Sequence, residues 1–224
     1  MTEETRRVIV WDGAVRLFHW ATVLLVASMW WTAEQGIMDW HKRMGLTLVA
    51  LLVFRLVWGV IGPKTARFAA MVTGPAVLVG YVKDLLADRH RPHFGHNPVG
   101  SLSVFAMLAA LAVQLGTGLF TVDTDGLESG PLASLISFDA GRQAAEIHEI
   151  SFNVLLTLIC LHVIAIAVYL VFFKDNLVRP MVTGRRAAAE FREADVSDNR
   201  LPWVRFLIAA VVAVAAVYGI LTVG

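Results

Sequence analysis

The sequence predicts an all-α integral membrane protein, in which a bundle of four transmembrane helices is followed by a fifth transmembrane helix at the C-terminal end. The first observation is composition: 57% of the 224 residues are apolar and 17% are charged, whereas soluble domains hold about 25% charged residues. The second is that five apolar stretches approach the roughly 20 residues that a helix needs to cross a bilayer core. The formal net charge of +1 leaves no basic face for nucleic acid.

The five predicted spans differ in the polar residues that they contain. The first, 17–33, holds His19, and the second, 41–61, holds Arg55 and opens with a basic cluster. The other three contain no Asp, Glu, Lys or Arg, and they are 101–122, 150–173 and 206–224. No positively charged segment with a signal-peptidase-like site precedes the first span, so we expect that span to be retained.

The spans divide the chain into three predicted regions. Residues 1–184 form the four-helix membrane domain, which includes an amphipathic cytoplasmic segment over 63–100. Apolar residues from Phe68 to Leu86 recur there at helical spacing, which is typical of a helix lying on the inner leaflet. Residues 185–202 are predicted to be a solvated polar linker, and residues 203–224 carry the additional transmembrane helix.

Basic residues near the span ends predict the orientation. Lys and Arg are concentrated before the first span, between the second and third spans, and after the fourth span. The connection between the third and fourth spans has Arg142 as its one Lys or Arg, against acidic residues that include Asp123, Asp125, Glu128, Asp139 and Glu146. We therefore expect a cytoplasmic N-terminus and, after five spans, a C-terminus on the opposite, periplasmic side.

Four of the seven histidines lie in or at the ends of predicted spans, where ionisable side chains are costly and usually functional. His148 and His162 are 14 residues apart on one predicted helix, which puts them within roughly 40° of one face and about 21 Å apart along the axis. His148 therefore shares an outer level with His41, which opens the second span, and His162 shares an inner level with His19. Each histidine could instead hydrogen-bond a neighbouring helix.

Two histidines at each level favour haem over zinc or copper, because a haem needs only two axial imidazoles from the protein. No Cys, Asp or Glu completes a tetrahedral site at the inner level. The one cysteine, Cys160, excludes an internal disulfide and the C-x-x-C-H attachment of a c-type haem. The sequence therefore predicts two non-covalent b haems, with His19 and His162 on the inner iron and His41 and His148 on the outer iron.

Basic residues and glycines near these histidines are candidates for holding a haem. Arg55 lies 14 positions after His41, on the same face at the inner level, where it could bind a haem propionate or extend to lipid phosphates. Arg16, one turn from His19, could bind a propionate or anchor the helix at the interface, as could the basic pair that follows His41. Small faces for a macrocycle, or for ordinary close helix packing, are provided by Gly45, Gly116 and Gly118.

Two further groups of residues have simpler interpretations. His90, His93 and His96 lie in a Pro- and Gly-rich segment, which predicts a surface loop rather than a three-histidine metal site because Pro92 and Gly95 break helical register. The tryptophans are predicted near the membrane interfaces as an aromatic belt, and they are Trp11, Trp20, Trp30, Trp31, Trp40, Trp58 and Trp203.

Several short motifs give the chain a family resemblance. They are VWD at 10–12, RLFHW at 16–20, FRLVWG at 54–59, GHNPVG at 95–100, NLV at 176–178 and MVTG at 181–184. Over about residues 8–184 the chain resembles bacterial diheme cytochromes b561, the group that includes the b-type cytochrome subunit of nickel-dependent hydrogenases. The resemblance implies a four-helix bundle with two bis-histidine haems in the bacterial inner membrane. The enlarged stretch at 62–100 and the fifth span depart from shorter members.

The resemblance implies electron transfer between a membrane quinone, ubiquinone or menaquinone, and a partner redox protein. That partner would be a hydrogenase or dehydrogenase subunit or a c-type cytochrome, and the acidic connection at 123–146 could steer a basic periplasmic protein. One alternative is a self-contained superoxide:quinone oxidoreductase. Another, from a different class, is a haemless transporter or structural subunit that uses the intramembrane histidines and Arg55 for ions.

Overall fold

A computed structural model describes residues 6–125, 127–191 and 196–224. Its described residues form seven α-helices and two short strands. The helices are α1 Gly13–Glu34, α2 Met38–Ile61, α3 Pro75–Leu86, α4 Pro98–Gly118, α5 Phe138–Val171, α6 Val178–Thr183 and α7 Trp203–Val223, and the strands are β1 Arg7–Ile9 and β2 Arg185–Ala187. Helices α1, α2, α4, α5 and α7 are long and apolar enough to cross a membrane. The prediction of an all-α integral membrane protein with five spanning helices is therefore confirmed.

Helix α5 begins earlier than the fourth predicted span. It runs for 34 residues from Phe138, whereas apolarity alone starts the span at residue 150. Its first turn contains Asp139, whose negative charge is favourable near a helix N-terminus, and Ser137 Oγ accepts a hydrogen bond from the Ala140 amide at 3.3 Å. Since α5 extends through this polar stretch, it carries both His148 and His162, as the histidine spacing predicts.

The chain divides into two compact units. Unit 1 consists of Met1–Leu17, Trp58–Phe105 and Cys160–Phe206, and unit 2 consists of Phe18–Val57, Ala106–Ile159 and Leu207–Gly224. Unit 2 has an apolar core of six buried residues, Leu48, Val49, Leu52, Leu111, Leu115 and Leu155. Residues of α1 and α7, among them Val26 and Val217, pack against this core. Parts of all five long helices therefore share one apolar core in unit 2.

In unit 1, Asp12 caps the start of α1. Its Oδ1 accepts hydrogen bonds from the Ala14 and Val15 amides at 2.8 and 3.1 Å, which satisfies two of the amides that a helix N-terminus leaves unpaired. Its Oδ2 accepts a hydrogen bond from the indole of Trp58 at 3.3 Å. The side chain of Asp12 is buried, so the VWD motif has a structural role in fixing where α1 begins.

The predicted solvated linker is partly folded in unit 1. Its first residues form β2, which pairs antiparallel with β1 so that Val8 lies opposite Arg186. Near its other end Asn199 is fully buried, and its Nδ2 donates to the Ile9 carbonyl at 3.0 Å. The β2 residues pair through their backbone while none of them is buried, whereas Asn199 is enclosed. The assignment of 185–202 as a cytoplasmic linker stays a prediction. Residues 192–195 of the linker lie outside the described residues.

The predicted amphipathic segment contains α3. This helix starts at Pro75 after Gly74, in keeping with the preference of proline for the first helical turn. None of its residues is buried. The position of 63–100 on the inner leaflet stays a prediction.

Two tryptophans do not belong to an aromatic belt. Trp58 is fully buried and Trp11 is 7% exposed, and both pack in unit 1. The belt interpretation was wrong for these two, because the polar indole of Trp58 is satisfied by Asp12 rather than by a membrane interface. The other five tryptophans are exposed, as a belt requires.

Candidate haem site

Two of the predicted ligands meet within unit 2. The rings of His41 on α2 and His148 on α5 have centroids 6.3 Å apart, with an angle of 76° between their planes. With metal–imidazole bonds of about 2 Å, two rings on opposite sides of one iron would have centroids about 6 Å apart. The spacing of this pair, which we call the His41–His148 pair, therefore fits a single six-coordinate iron.

Hydrogen bonds define the tautomer of His148. Its Nδ1 lies 2.8 Å from the main-chain carbonyl of Gln114, and because a carbonyl can only accept, Nδ1 carries the proton. Its Nε2 lies 3.0 Å from Nε2 of the Gln114 side chain, and because an amide nitrogen can only donate, the ring nitrogen accepts. Ser151 Oγ donates to Oε1 of the same amide at 2.5 Å. His148 is thus a neutral imidazole with its lone pair on Nε2, the form that binds a metal.

His41 is anchored in the same way. Its Nδ1 donates to the main-chain carbonyl of Met29 in α1 at 3.0 Å, which leaves Nε2 as the nitrogen able to coordinate. Metal-bound histidines commonly donate their other ring N–H to a backbone carbonyl, which fixes the ring orientation. In both members of the His41–His148 pair, Nδ1 therefore donates to a main-chain carbonyl, as in a ligating imidazole, and Nε2 is left to coordinate.

A glycine of α4 makes room for His148. A Cβ added at Gly118 would lie 2.8 Å from Cε1 of His148 and 3.1 Å from its Nδ1, so a side chain at this position would displace the ring. At Gly45 the nearest atom to an added Cβ is Cε of Met29 at 3.4 Å, an ordinary contact. At Gly116 nothing lies within 4 Å of an added Cβ.

A cavity of about 290 Å³ lies against the pair. Its lining includes Gly45, Gly118 and the apolar side chains Val49 and Leu115. Among the described residues, Gly116 does not line it, so of the two α4 glycines only Gly118 has a place there. Four charged residues also line this cavity, and they are Lys42, Asp123, Glu128 and Arg142. We call it the His41–His148 cavity.

The predicted inner ligands lie on α1 and α5. His19 is partly buried, and its ring meets Trp20 edge-on with centroids 4.9 Å apart. His162 is also partly buried. Their pairing on one iron stays a prediction.

The two arginines singled out in the sequence are both held by protein. Arg55 is 3% exposed, so its side chain is enclosed by protein and does not extend to lipid phosphates. Its role in binding a propionate stays a prediction. Arg16 donates from Nη1 to the Val182 carbonyl at 2.5 Å. The buried Nε of Arg16 has no hydrogen-bond partner among the described residues and is available to an anion.

The three clustered histidines point to different neighbours in unit 1. His90 Nε2 lies 3.0 Å from Asp175 Oδ2, His93 meets Tyr81 edge-on, and the ring of His96 lies 4.5 Å from that of Trp11. In the described part of the chain, no group of three or more His, Cys, Asp or Glu is arranged for a metal. The surface-loop interpretation was wrong for His90, whose side chain is 8% exposed, because its hydrogen bond to Asp175 allows it to be buried.

Sequence reasoning missed a polar cluster around the contact between His90 and Asp175. Asp175 Oδ1 lies 2.8 Å from Nη2 of Arg186, and Arg186 also pairs with Glu190. The hydroxyls of Tyr81 and Tyr169 are 2.6 Å apart. Burial, together with the hydrogen bond to Tyr169, raises the pKa of Tyr81. No spacing rule connects these positions, since they come from α3, the end of α5 and β2.

Gln114 was also missed, although a signal was present. It is the one amide side chain in the predicted span 101–122, and polar residues inside spans usually have a partner or a function. Its side chain and its carbonyl both bond His148.

Comparisons with known proteins identify the family of the chain. A family model described as prokaryotic cytochrome b561 matches residues 10–184. The chain is also similar to a protein of Azotobacter chroococcum mcd 1 named "Probable Ni/Fe-hydrogenase B-type cytochrome subunit", with 22% identity over 213 residues that cover 80% of this chain and 88% of that protein. Since the family match spans most of the chain, the protein belongs to the prokaryotic cytochrome b561 family and is a multi-pass membrane b-type cytochrome that binds haem b and transfers electrons.

Proposed function

We propose that this protein is a diheme cytochrome of the bacterial inner membrane, which carries electrons between the quinone pool and a partner redox protein. The observation that carries the proposal is the His41–His148 pair, whose rings have the separation that one iron requires and whose Nδ1 atoms both donate to main-chain carbonyls. Two axial imidazoles of this kind complete the coordination of a haem. Family membership supports haem b as the cofactor and argues against the haemless alternative.

In this proposal haem b supplies the one-electron chemistry, and the protein supplies ligands and surroundings. The hydrogen bonds that Nδ1 of His41 and Nδ1 of His148 donate to main-chain carbonyls orient each Nε2 toward the iron and increase its basicity. The Gln114 amide, which donates to Nε2 of His148, would have to move aside. Val49 and Leu115 line the cavity and exclude water, which is one of the means by which proteins tune haem potential.

A second haem is proposed on His19 and His162. The support is the helical register of α5, which carries His162 14 residues after His148, and the level at which His19 begins the first span. Arg55, enclosed by protein, and Arg16, whose buried Nε is available, are proposed to bind its propionates because a guanidinium matches a carboxylate through two parallel hydrogen bonds.

The redox partner is proposed from chemistry and from similarity. The relative from Azotobacter is named as a hydrogenase subunit, which supports a hydrogenase or dehydrogenase as one partner class. The connection before α5 exposes Asp125 and Glu128, and the first turn of α5 exposes Asp139, and these carboxylates would attract a basic protein such as a c-type cytochrome. Quinone as the other partner rests on the family resemblance.

The test is the haem content of the purified protein, measured as pyridine haemochrome with oxidised and reduced spectra. We expect two low-spin b haems per chain. His148→Ala and His162→Ala should each leave one haem, and His93→Ala, on a histidine outside both pairs, should leave two. A ratio of one haem in the wild-type protein would overturn the diheme proposal.

A second experiment on the same preparation distinguishes between the candidate electron donors and acceptors. Reduced quinone should reduce the haems, and a c-type cytochrome or hydrogenase subunit should exchange electrons with them. If superoxide alone reduces the haems and quinone reoxidises them while no protein partner does, the superoxide:quinone oxidoreductase replaces the proposed function.

A further inference from the structure

We infer that Arg142 is the cation that binds a propionate of the haem held by His41 and His148. The inference rests on the proposed function, since it assigns a charge partner within the same site. Arg142 lies on α5, six residues before His148, and its side chain lines the His41–His148 cavity. Haem carries two propionate carboxylates, and carboxylates away from bulk water need charged or hydrogen-bonding partners.

Arg142 is positioned by a single hydrogen bond. Its Nη1 donates to the main-chain carbonyl of Val122 at 3.0 Å, and the side chain is partly buried. A guanidinium has five N–H donors in a planar fork, so this bond orients the group and leaves other donors for a ligand. The planar fork matches the geometry of a carboxylate, which it can bind through two parallel hydrogen bonds.

The other basic residues near the pair are already engaged. Lys42, which also lines the cavity, forms an ion pair with Glu128 at 2.8 Å. Arg43 lies over the ring of Trp40, 5.7 Å from its centroid, and is absent from the cavity lining among the described residues. No carboxylate of the described chain forms an ion pair with Arg142 within 4.0 Å. Arg142 is therefore the cation of this cavity whose charge has no counterion among the described residues.

Asp123 adds negative charge to this cavity, so a propionate can bind there only with a cation nearby. Its carboxylate lines the same space, and its buried Oδ1 has no hydrogen-bond partner among the described residues. A propionate entering beside this carboxylate meets like charge, which disfavours binding unless a cation lies between or beside them. Arg142 is the residue that can neutralise the added negative charge.

The test compares three variants of the full-length protein, purified in detergent. Arg142→Gln removes the charge, Arg142→Lys keeps it, and Lys42→Gln removes the neighbouring cation that already has a partner. The readouts are the haem dissociation constant, from titration of haem into haem-depleted protein, and the midpoint potential of each haem from redox potentiometry. Circular dichroism of the haem-depleted proteins checks that each variant folds.

With Arg142→Gln we expect the dissociation constant of one haem to rise about tenfold or more, as for loss of a charge-assisted hydrogen bond. The potential of that haem should fall, because a nearby positive charge favours the reduced form, and the other haem should keep its potential. Arg142→Lys should restore most of the potential, and Lys42→Gln, which leaves Glu128 without its ion pair, should change both readouts less than Arg142→Gln does.

Unchanged haem affinity and potentials in folded Arg142→Gln would overturn the inference, and so would a larger effect of Lys42→Gln. Both results leave the proposed function intact. A wild-type protein with no haem would instead overturn the proposed function, so the two failures are distinguishable.

Discussion

The imidazole of His148 donates a hydrogen bond from Nδ1 to the main-chain carbonyl of Gln114, 2.8 Å away. In an α-helix that carbonyl ordinarily accepts from the amide four residues later, which here belongs to Gly118. The ring can approach the backbone of α4 because Gly118 has no side chain, and an added Cβ would lie 2.8 Å from its Cε1. One glycine thus determines whether His148 can have the orientation and tautomer of a ligand.

Gly118→Ala should therefore remove one haem. Cβ atoms do not approach ring carbons at 2.8 Å, so His148 must shift and lose its bond to Gln114. We expect the haem-to-protein ratio to fall from two toward one, measured by pyridine haemochrome.

Gly116→Ala is the matched control, on the same helix and with the same added methyl group. Nothing lies within 4 Å of a Cβ at Gly116, so we expect two haems to be retained. Equal haem content in the two variants would show that the contact at Gly118 does not position a ligand.

The spanning helices could be predicted because apolar composition over about 20 residues is a strong signal. The first turns of α5 could not, since Arg142 and Glu146 give this stretch the composition of a loop. Helix α5 continues through them because a helix with polar residues is stable outside the lipid. Its first turn is stabilised by Ser137 and Asp139.

The histidines could be predicted as a set, because helical geometry converts the spacing from His148 to His162 into a shared face. Their surroundings required three-dimensional structure. Gly116 and Gly118 are equivalent in the sequence, and only the rotation of α4 relative to His148 distinguishes them. Sequence reasoning likewise had no means of joining Asp175 to Arg186, because that contact depends on β2 pairing with β1.

Asp12→Ala should destabilise the protein by about 2 kcal/mol. Loss of an N-cap costs about 0.5–2 kcal/mol, and the indole N–H of Trp58 is left unsatisfied in a fully buried position, which adds to the cost. The measurement is the free energy of unfolding in mixed detergent micelles. Asp12→Asn is the comparison: it keeps the capping oxygen but places an amide NH2, which cannot accept a hydrogen bond, beside the indole N–H of Trp58, so it should cost less stability than Asp12→Ala. Equal destabilisation by both substitutions would mean that the capping oxygen is not the source of the effect.

Asp175→Asn should destabilise the protein by about 3 kcal/mol. Breaking a buried ion pair typically costs 3–5 kcal/mol, and here the low end applies because Arg186 keeps Glu190 as a partner. The same unfolding measurement applies. Asp198→Asn is the matched control, since its pair with Arg200 is 3.8 Å apart and both side chains are more than two-thirds exposed. That variant should stay within about 0.5 kcal/mol of wild type. A small effect at Asp175 would indicate that water reaches the pair.

Tyr81→Phe should reduce the loss of stability at alkaline pH. Burial, followed by the hydrogen bond to Tyr169, raises the pKa of Tyr81 above its ordinary value of 10.0. Below pH 10 the folded and unfolded states both hold the phenolic proton, so this residue adds no pH dependence. Above pH 10 the unfolded state releases the proton and the folded state keeps it, so the free energy of unfolding falls by up to about 1.4 kcal/mol per pH unit.

Unfolding measured between pH 9 and pH 11.5 checks the sign of this effect. The wild-type protein should lose stability more steeply than Tyr81→Phe above pH 10, and the two slopes should agree below it. Tyr218→Phe removes an exposed ring hydroxyl from α7 and serves as the control for the substitution itself. Identical slopes for wild type and Tyr81→Phe would mean that the phenol ionises as readily in the folded protein as in the unfolded chain, and therefore that α3 does not keep Tyr81 against Tyr169 in the membrane.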